Sequence, residues 1–247
     1  MSKVLITGAN RGIGLGLVDV YLKNNWEVIA ACRQPDSANE LKLYGENFQN
    51  YLSIVEMDVN NQEQIDKLVG SLKGVPIDLL INNAGAVEME KYGSGAYEFV
   101  DGKPIDDPDI RKYDYSEWES VLKTNVLGPA RVTGSLVDNL ELAENGLVVM
   151  MNSGLGSVSN TWKAGRYAYR TSKGALNMLM RSMGEWLESM GITTVSISPG
   201  WTRTDMGGPN AVNSIEEATN GVFKVIAGIS SEDTGKFLNF DGTIIPW

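Results

Sequence analysis

Tyr169 and Lys173 stand four residues apart in a stretch, Tyr167 to Met190, whose apolar residues recur at helical spacing. Four residues is about one helical turn, so phenol and ammonium share a face and can meet. A tyrosine with a reference pKa of about 10 is a poor acid–base group near neutrality, but an adjacent positive charge favours its phenolate. Lys173 supplies that charge. Ser153 follows the apolar run Leu147 to Met151 and could hydrogen-bond a substrate oxygen, holding it against Tyr169. Such a set serves carbonyl–alcohol chemistry: the serine orients the oxygen, the tyrosine exchanges a proton with it, and a hydride carrier acts on the carbon. Tyr and Lys also occur at this spacing by chance, so the pair needs support from elsewhere in the chain. Tyr167 has no lysine four residues on, and Ser157 and Ser159, rivals of Ser153, read as loop hydroxyls.

Other chemistries fall away on composition. The 247 residues include no histidine, which excludes a Ser-His-Asp triad, a histidine base and an H-E-x-x-H metal helix. Cys32 is the only cysteine, so no intramolecular disulfide framework or multi-cysteine zinc site is expected, and no metal. A net charge of −10 without a basic block argues against nucleic acid and anionic membranes as partners. Met1-Ser2-Lys3 runs straight into an apolar strand and no run approaches the roughly 20 residues of a membrane span, so a cytoplasmic location is expected.

The elements that must position the pair begin with Lys3 to Tyr21, KVLITGANRGIGLGLVDVY. An apolar run, a glycine turn and an amphipathic continuation read as strand, tight loop and helix. Gly8, Gly12, Gly14 and Gly16 leave no Cβ in the way, so N–H groups at the new helix's N-terminus can reach a phosphate. The spacing is T-G-x-x-x-G-x-G, and the Gly-Lys-Ser/Thr of a mononucleotide loop is missing; the other reading is an ordinary glycine turn. Further strands are expected at Glu27–Cys32, Tyr51–Glu56, Ile77–Ile81, Leu147–Met151, Ile192–Ser198 and Lys236–Asn239. Helices alternate with them near 37–45, 65–72, 116–137, 167–190 and 214–226, with Ser116 as an N-cap and Gly128-Pro129 as a kink. This alternation predicts an α/β doubly wound parallel sheet of about seven strands with helices on both faces, in a single domain over 1–247. Gly8–Gly14, Cys32-Arg33, Asp58, Asn82–Gly85, Asn152-Ser153 and Pro199-Gly200 each follow a strand, where open α/β sheets bind ligands. Residues 86–114 read as a long surface loop with one short helix, and 199–213 as a Gly/Pro-rich substrate and cofactor loop.

The second strand ends in Cys32-Arg33 rather than in the acid that would bind a ribose 2′-hydroxyl. With Arg11 of the glycine loop, Arg33 offers a 2′-phosphate up to two guanidinium partners, so NADP(H) is expected over NAD(H).

Thr7-Gly8-Ala9-Asn10-Arg11-Gly12-Ile13-Gly14, Asn82-Asn83-Ala84-Gly85 and the Tyr169 to Lys173 pair, in this order, resemble the short-chain dehydrogenase/reductase family over nearly the whole chain. NRGIGLGLV, CRQP, PGWTRTDMGG and DGTIIPW look most like its carbonyl-reductase-like branch, which contains sniffer and the bacterial C-factor proteins. The resemblance implies a single-domain Rossmann fold and catalytic residues Asn125, Ser153, Tyr169 and Lys173, with Asn125 holding a water that links the lysine to solvent. It also implies a cofactor set of Gly8, Asn10, Arg11, Gly12, Ile13, Gly14, Arg33, Asp58, Val59, Asn83, Ala84, Gly85, Tyr169, Lys173, Pro199, Gly200 and Thr202. Asp58 would lie near the adenine, Lys173 on the nicotinamide ribose hydroxyls, and Pro199-Gly200 with Thr202 at the carboxamide. The sixteen positions from Ser153 to Tyr169 exceed the commonest family spacing. The implied activity is NADPH-dependent reduction of an aldehyde, ketone or α-dicarbonyl; a C-factor-like signalling protein with little turnover is the alternative. A halohydrin dehalogenase would have lost the lysine and the glycine turn, and an extended sugar-nucleotide epimerase would want a longer C-terminal region. Leu176, Met180, Met183, Leu187 and Met190 form one stripe, and Ala175, Leu179 and Trp186 a neighbouring one, wider than one sheet contact needs. The resemblance implies that this helix and 116–137 pair between subunits, so a homodimer or homotetramer is expected beside the reading of a deeply buried core helix. Substrate choice would rest on 86–114, 199–213, Trp162 and Trp201.

Overall fold

The structure, a computed structural model, describes residues 1–88, 99–100, 103–104, 109–161 and 164–247. Strands β1 (Lys3–Thr7), β2 (Glu27–Cys32), β3 (Leu52–Glu56) and β4 (Leu79–Asn82) alternate with helices α1 (Gly12–Lys23), α2 (Asn39–Asn47) and α3 (Gln62–Ser71). Two short segments, β5 (Phe99–Val100) and β6 (Lys103–Pro104), pair antiparallel. Helices α4 (Tyr115–Leu122) and α5 (Gly128–Glu141) precede β7 (Leu147–Met151), and α6 (Tyr167–Glu188), β8 (Thr193–Ser198), α7 (Ile215–Ala227) and β9 (Phe237–Asn239) complete the order. Seven strands form one parallel sheet in the order β3-β2-β1-β4-β7-β8-β9, a doubly wound Rossmann fold.

The strands read as unbroken apolar runs because both faces of the sheet are covered. Val4, Ile6, Val28, Ala30, Val149 and Ile197 pack with Leu17 and Tyr21 of α1, Leu41 of α2 and Val222 of α7. Their alternates Leu5, Ile29, Leu80, Val148 and Met150 pack with Ile65 of α3, Leu136 of α5, and Leu176, Met180 and Leu187 of α6. The core thus buries Leu176, Met180 and Leu187 of the α6 stripe, and Met183 and Met190 pack against it partly buried, while Trp186 on the neighbouring face stays half exposed.

The helix expected from Ser116 starts one residue earlier and is capped differently. The Asp114 carboxylate accepts from Ser116 N (2.9 Å) and Glu117 N (3.2 Å), whereas the Ser116 hydroxyl itself donates to Asp114. A carboxylate two residues upstream reaches both first-turn donors and suits the positive end of the helix. The irregularity expected at Gly128-Pro129 lies just before it, as a π-helical turn over Lys123–Leu127. Of the 86–114 segment, 89–98, 101–102 and 105–108 lie outside the described residues, as does Trp162; the described remainder includes a 3-10 turn, Ile110–Lys112.

Candidate active site

The sheet order reverses between β1 and β4, and a cleft opens beyond the carboxyl ends of these strands. Its floor is the β1–α1 turn. Gly8 and Gly12 adopt φ of 64° and 55°, the left-handed region that glycine enters without strain. A Cβ on Gly14 would lie 2.2 Å from the Gly8 carbonyl oxygen and 2.6 Å from Asn83 Nδ2, so the turn closes only without a side chain there. Asn83 staples it shut: Nδ2 donates to the carbonyls of Thr7 (2.9 Å) and Gly8 (3.1 Å), and the Thr7 hydroxyl accepts from the N–H groups of Asn83 and Ala84 (3.0 Å each). Helix α1 has no side-chain cap, which leaves its first-turn N–H groups for an anion. Bare backbone, uncapped donors and a glycine floor fit a dinucleotide pyrophosphate.

Helix α6 brings the chemistry to the other wall, where Tyr169 and Lys173 line the cleft. The Lys173 ammonium is buried, donates to the Met151 carbonyl at 2.8 Å and lies 5.6 Å from the centroid of the Tyr169 ring. Burial disfavours its charged form and lowers its pKa to about 8. Asn125, 1% exposed in the π-helical turn, is held by the protein on both amide atoms: Oδ1 accepts from Ala86 N (2.7 Å), and Nδ2 donates to Ala86 O (2.8 Å) and Ser172 Oγ (2.9 Å). Ser172 passes the link on by donating to the Tyr169 carbonyl at 2.7 Å. Asn125 therefore ties the strand-end backbone at Ala86 to the first turns of α6. Ser153 stands after β7, where its hydroxyl accepts from Leu155 N at 3.2 Å at the start of a 3-10 turn, Gly154–Gly156.

Of the expected cofactor residues, Gly8, Asn10, Arg11, Gly12, Ile13, Gly14, Arg33, Asp58, Val59, Asn83, Ala84, Gly85, Tyr169, Lys173 and Pro199 line this one cleft. Gly200 and Thr202 do not. Thr202 is 3% exposed and its hydroxyl turns inward to the carbonyls of Pro199 (3.0 Å) and Gly200 (3.4 Å). Thr204, Asp205 and Met206 of the same loop form the wall instead. Trp201 braces this loop through Nε1 to the Gly207 carbonyl at 2.8 Å.

The short chain dehydrogenase family profile matches residues 2–213. The chain belongs to that family. This short-chain dehydrogenase is 37% identical over 172 residues to the C-signal protein of Myxococcus xanthus, covering 70% of the present chain and 93% of the other. It superposes on the carbonyl reductase Sniffer of D. melanogaster with a TM-score of 0.88 at 32% identity, covering 100% of both chains. Against NADPH-bound carbonyl reductase from chicken fatty liver the TM-score is 0.85 at 30% identity, covering 100% of this chain and 99% of that one.

Several residues of this short-chain dehydrogenase that build the site gave little sequence signal. Thr7 and Ser172 are small polar residues inside the motifs, and only the fold shows which backbone each one holds. Ala86 acts solely through its peptide. Glu88 lies 4% exposed, and desolvation raises its pKa above the ordinary carboxylate range, against the opposing pull of its own backbone N–H, the Arg166 guanidinium and the Tyr169 backbone. It follows β4 in the stretch that has no periodicity to reveal burial. Among the described residues, no cluster of three His, Cys, Asp or Glu could hold a metal ion, and no helix is long and apolar enough to cross a membrane.

Proposed function

We propose that this short-chain dehydrogenase is an NADPH-dependent carbonyl reductase acting on aldehydes, ketones or α-dicarbonyls. The observation that carries this reading is the placement of Tyr169 and buried Lys173 in the wall of a cleft whose floor is built for a dinucleotide. A bound nicotinamide dinucleotide would supply the hydride. Tyr169 donates its proton to the carbonyl oxygen, and the Lys173 ammonium stabilises the negative charge that grows on the phenol oxygen as the proton leaves. Ser153 holds the substrate oxygen in place, and Asn125 fixes the Ala86 peptide against α6. Ribose hydroxyls fall to Tyr169 and Lys173, the pyrophosphate to the Gly8–Gly14 turn, and the adenosine 2′-phosphate to Arg33 with Arg11. A cytoplasmic location belongs to the same reading.

The test is initial-rate consumption of NADPH and NADH against a panel of carbonyls. Tight nucleotide binding without turnover on any of them would favour the second reading, a nucleotide-binding signalling protein, for which the similarity to C-signal speaks.

Two further outcomes follow from this reading. Exposed Arg33 lines the cleft and β2 ends without an acid, so Arg33→Asp weakens NADPH by roughly 10- to 100-fold, the worth of a lost charge-assisted contact, with little effect on NADH. Dissociation constants from fluorescence titration decide it, and an unchanged preference rejects the 2′-phosphate role. The second concerns pH. With Lys173 lowered to about 8, its ammonium is lost as pH rises through that value, so kcat/KM for reduction falls above about pH 8. Stability moves oppositely. A lysine whose folded pKa lies below its unfolded one binds more protons unfolded, so the fold gains stability between about pH 8 and the ordinary lysine value of about 10.4. A kcat/KM flat from pH 7 to 10 would reject the role of the ammonium.

A further inference from the structure

Arg11 Nη1 meets Asp205 Oδ2 at 2.7 Å, an ion pair that joins the glycine turn to the loop over 199–213. Arg11, Arg33 and Asp205 all line the dinucleotide cleft. The loop seats against the turn itself, since a Cβ on Gly12 would lie 3.4 Å from the Thr204 methyl.

Asp205 is not carried on a loose segment. Arg203 N donates to the Asn213 carbonyl at 2.9 Å, and Asn213 N returns a bond to the Trp201 carbonyl at 3.0 Å. Gly208 N donates to the Thr204 carbonyl at 2.8 Å, and Gly207 N to the Thr204 hydroxyl at 3.0 Å. The carboxylate is thus presented from a braced turn, and among the described residues Arg11 is the only cation within ion-pair distance of it.

We propose that Asp205 is a cofactor-specificity residue: it holds Arg11 across the cleft and competes with the adenosine 2′-phosphate for that guanidinium. The proposal rests on the NADP(H) reading. The physical chemistry favours exchange over blockade. Both side chains are well exposed, at 69% and 79%, and an ion pair in such surroundings contributes little and is readily given up. A phosphate near −2 in charge, offering several acceptor oxygens, is a stronger partner for the guanidinium than one carboxylate. NADPH therefore displaces Asp205 at a modest loss of affinity. NADH, with no 2′-phosphate, leaves the pair in place. Asp205 narrows the discrimination between the two cofactors while keeping Arg11 aimed at the cleft when no phosphate is there.

Calorimetric titration of the full chain with adenosine 2′,5′-bisphosphate and with 5′-AMP tests this, using wild type, Asp205→Asn, Arg11→Ala and the double variant. Asp205→Asn is expected to tighten the bisphosphate roughly two- to fivefold, the range an exposed pair is worth, and to leave 5′-AMP unchanged. In the Arg11→Ala background that gain disappears. Unchanged or weaker bisphosphate binding by Asp205→Asn overturns the proposal. So does an equal gain with Arg11 absent, because the effect would then be general charge repulsion. If wild type binds the bisphosphate no better than 5′-AMP, the NADP(H) reading falls and this proposal with it. A retained wild-type preference with no effect of Asp205→Asn removes the proposal alone.

Discussion

Replacing Tyr169 by Phe lowers carbonyl reduction by about 10²- to 10⁴-fold, the usual worth of a positioned proton donor, while NADPH binding weakens only by the phenol's single ribose contact. The substitution keeps the ring, whose face lies 5.6 Å from Lys173 Nζ, and removes only the hydroxyl. The Ser172 bond goes to the Tyr169 backbone carbonyl, so the Ala86–Asn125–Ser172 link to α6 survives the change. The remaining cradle, from the Gly8–Gly14 turn to Lys173, still receives the nucleotide. The defect should fall far more on kcat than on the dissociation constant, the signature of a group needed in the transition state. Single-turnover rates with saturating NADPH, read beside a fluorescence titration of the nucleotide, measure both. Full turnover by the Phe variant would assign proton transfer elsewhere; loss of NADPH binding would make Tyr169 a cofactor anchor first.

Gly14→Ala is expected to cost about 1–3 kcal/mol by overpacking and to abolish useful dinucleotide binding. The new methyl would meet the Gly8 carbonyl oxygen at 2.2 Å and Asn83 Nδ2 at 2.6 Å. Neither neighbour can yield cheaply. The first is backbone, and the second is pinned by its bonds to Thr7 O and Gly8 O. Relief requires opening the turn, which breaks the Asn83 staple and moves the α1 donors from their phosphate geometry. Thermal unfolding should shift down by about 2–4 °C per kcal/mol for a chain of this size. Gly134→Ala is the control. It lies in α5 with nothing within 4 Å of an added Cβ, so it should be neutral or slightly stabilising because alanine is the better helix former. Equal melting temperatures and equal NADPH affinity for Gly14→Ala and wild type would contradict the closed-turn geometry.

Much of the scaffold was legible before any fold was known. The strands carry near-continuous apolar residues because helices bury both sheet faces, so Glu27–Cys32 and Leu147–Met151 kept the bounds expected of them. Other strands moved by a residue or two: Ile77–Ile81 became Leu79–Asn82, and Tyr51–Glu56 became Leu52–Glu56. End residues of a parallel strand are settled by pairing with neighbours, as Leu79 is by Val4 and Leu147, and pairing is not written in local pattern. Asp114 displaced Ser116 as the cap of α4 because competition between two good capping residues turns on which one reaches the first-turn donors.

The sequence by itself determined what depends on neighbours a few residues away. Regular backbone geometry converts spacing into direction, so Tyr169 and Lys173 had to share a helix face, and the glycines from Gly8 to Gly14 had to leave a bare turn between strand and helix. Tertiary structure alone decided what depends on contacts across the sheet. It buried Lys173 beneath Met151 and so lowered its pKa, committed the Asn125 amide to Ala86 and Ser172, turned Thr202 inward while Thr204, Asp205 and Met206 took the wall, and gave Arg11 a carboxylate partner 194 residues along the chain. Burial and ion pairing are set by distances between separate elements, and those distances exist only once the sheet has brought the elements together.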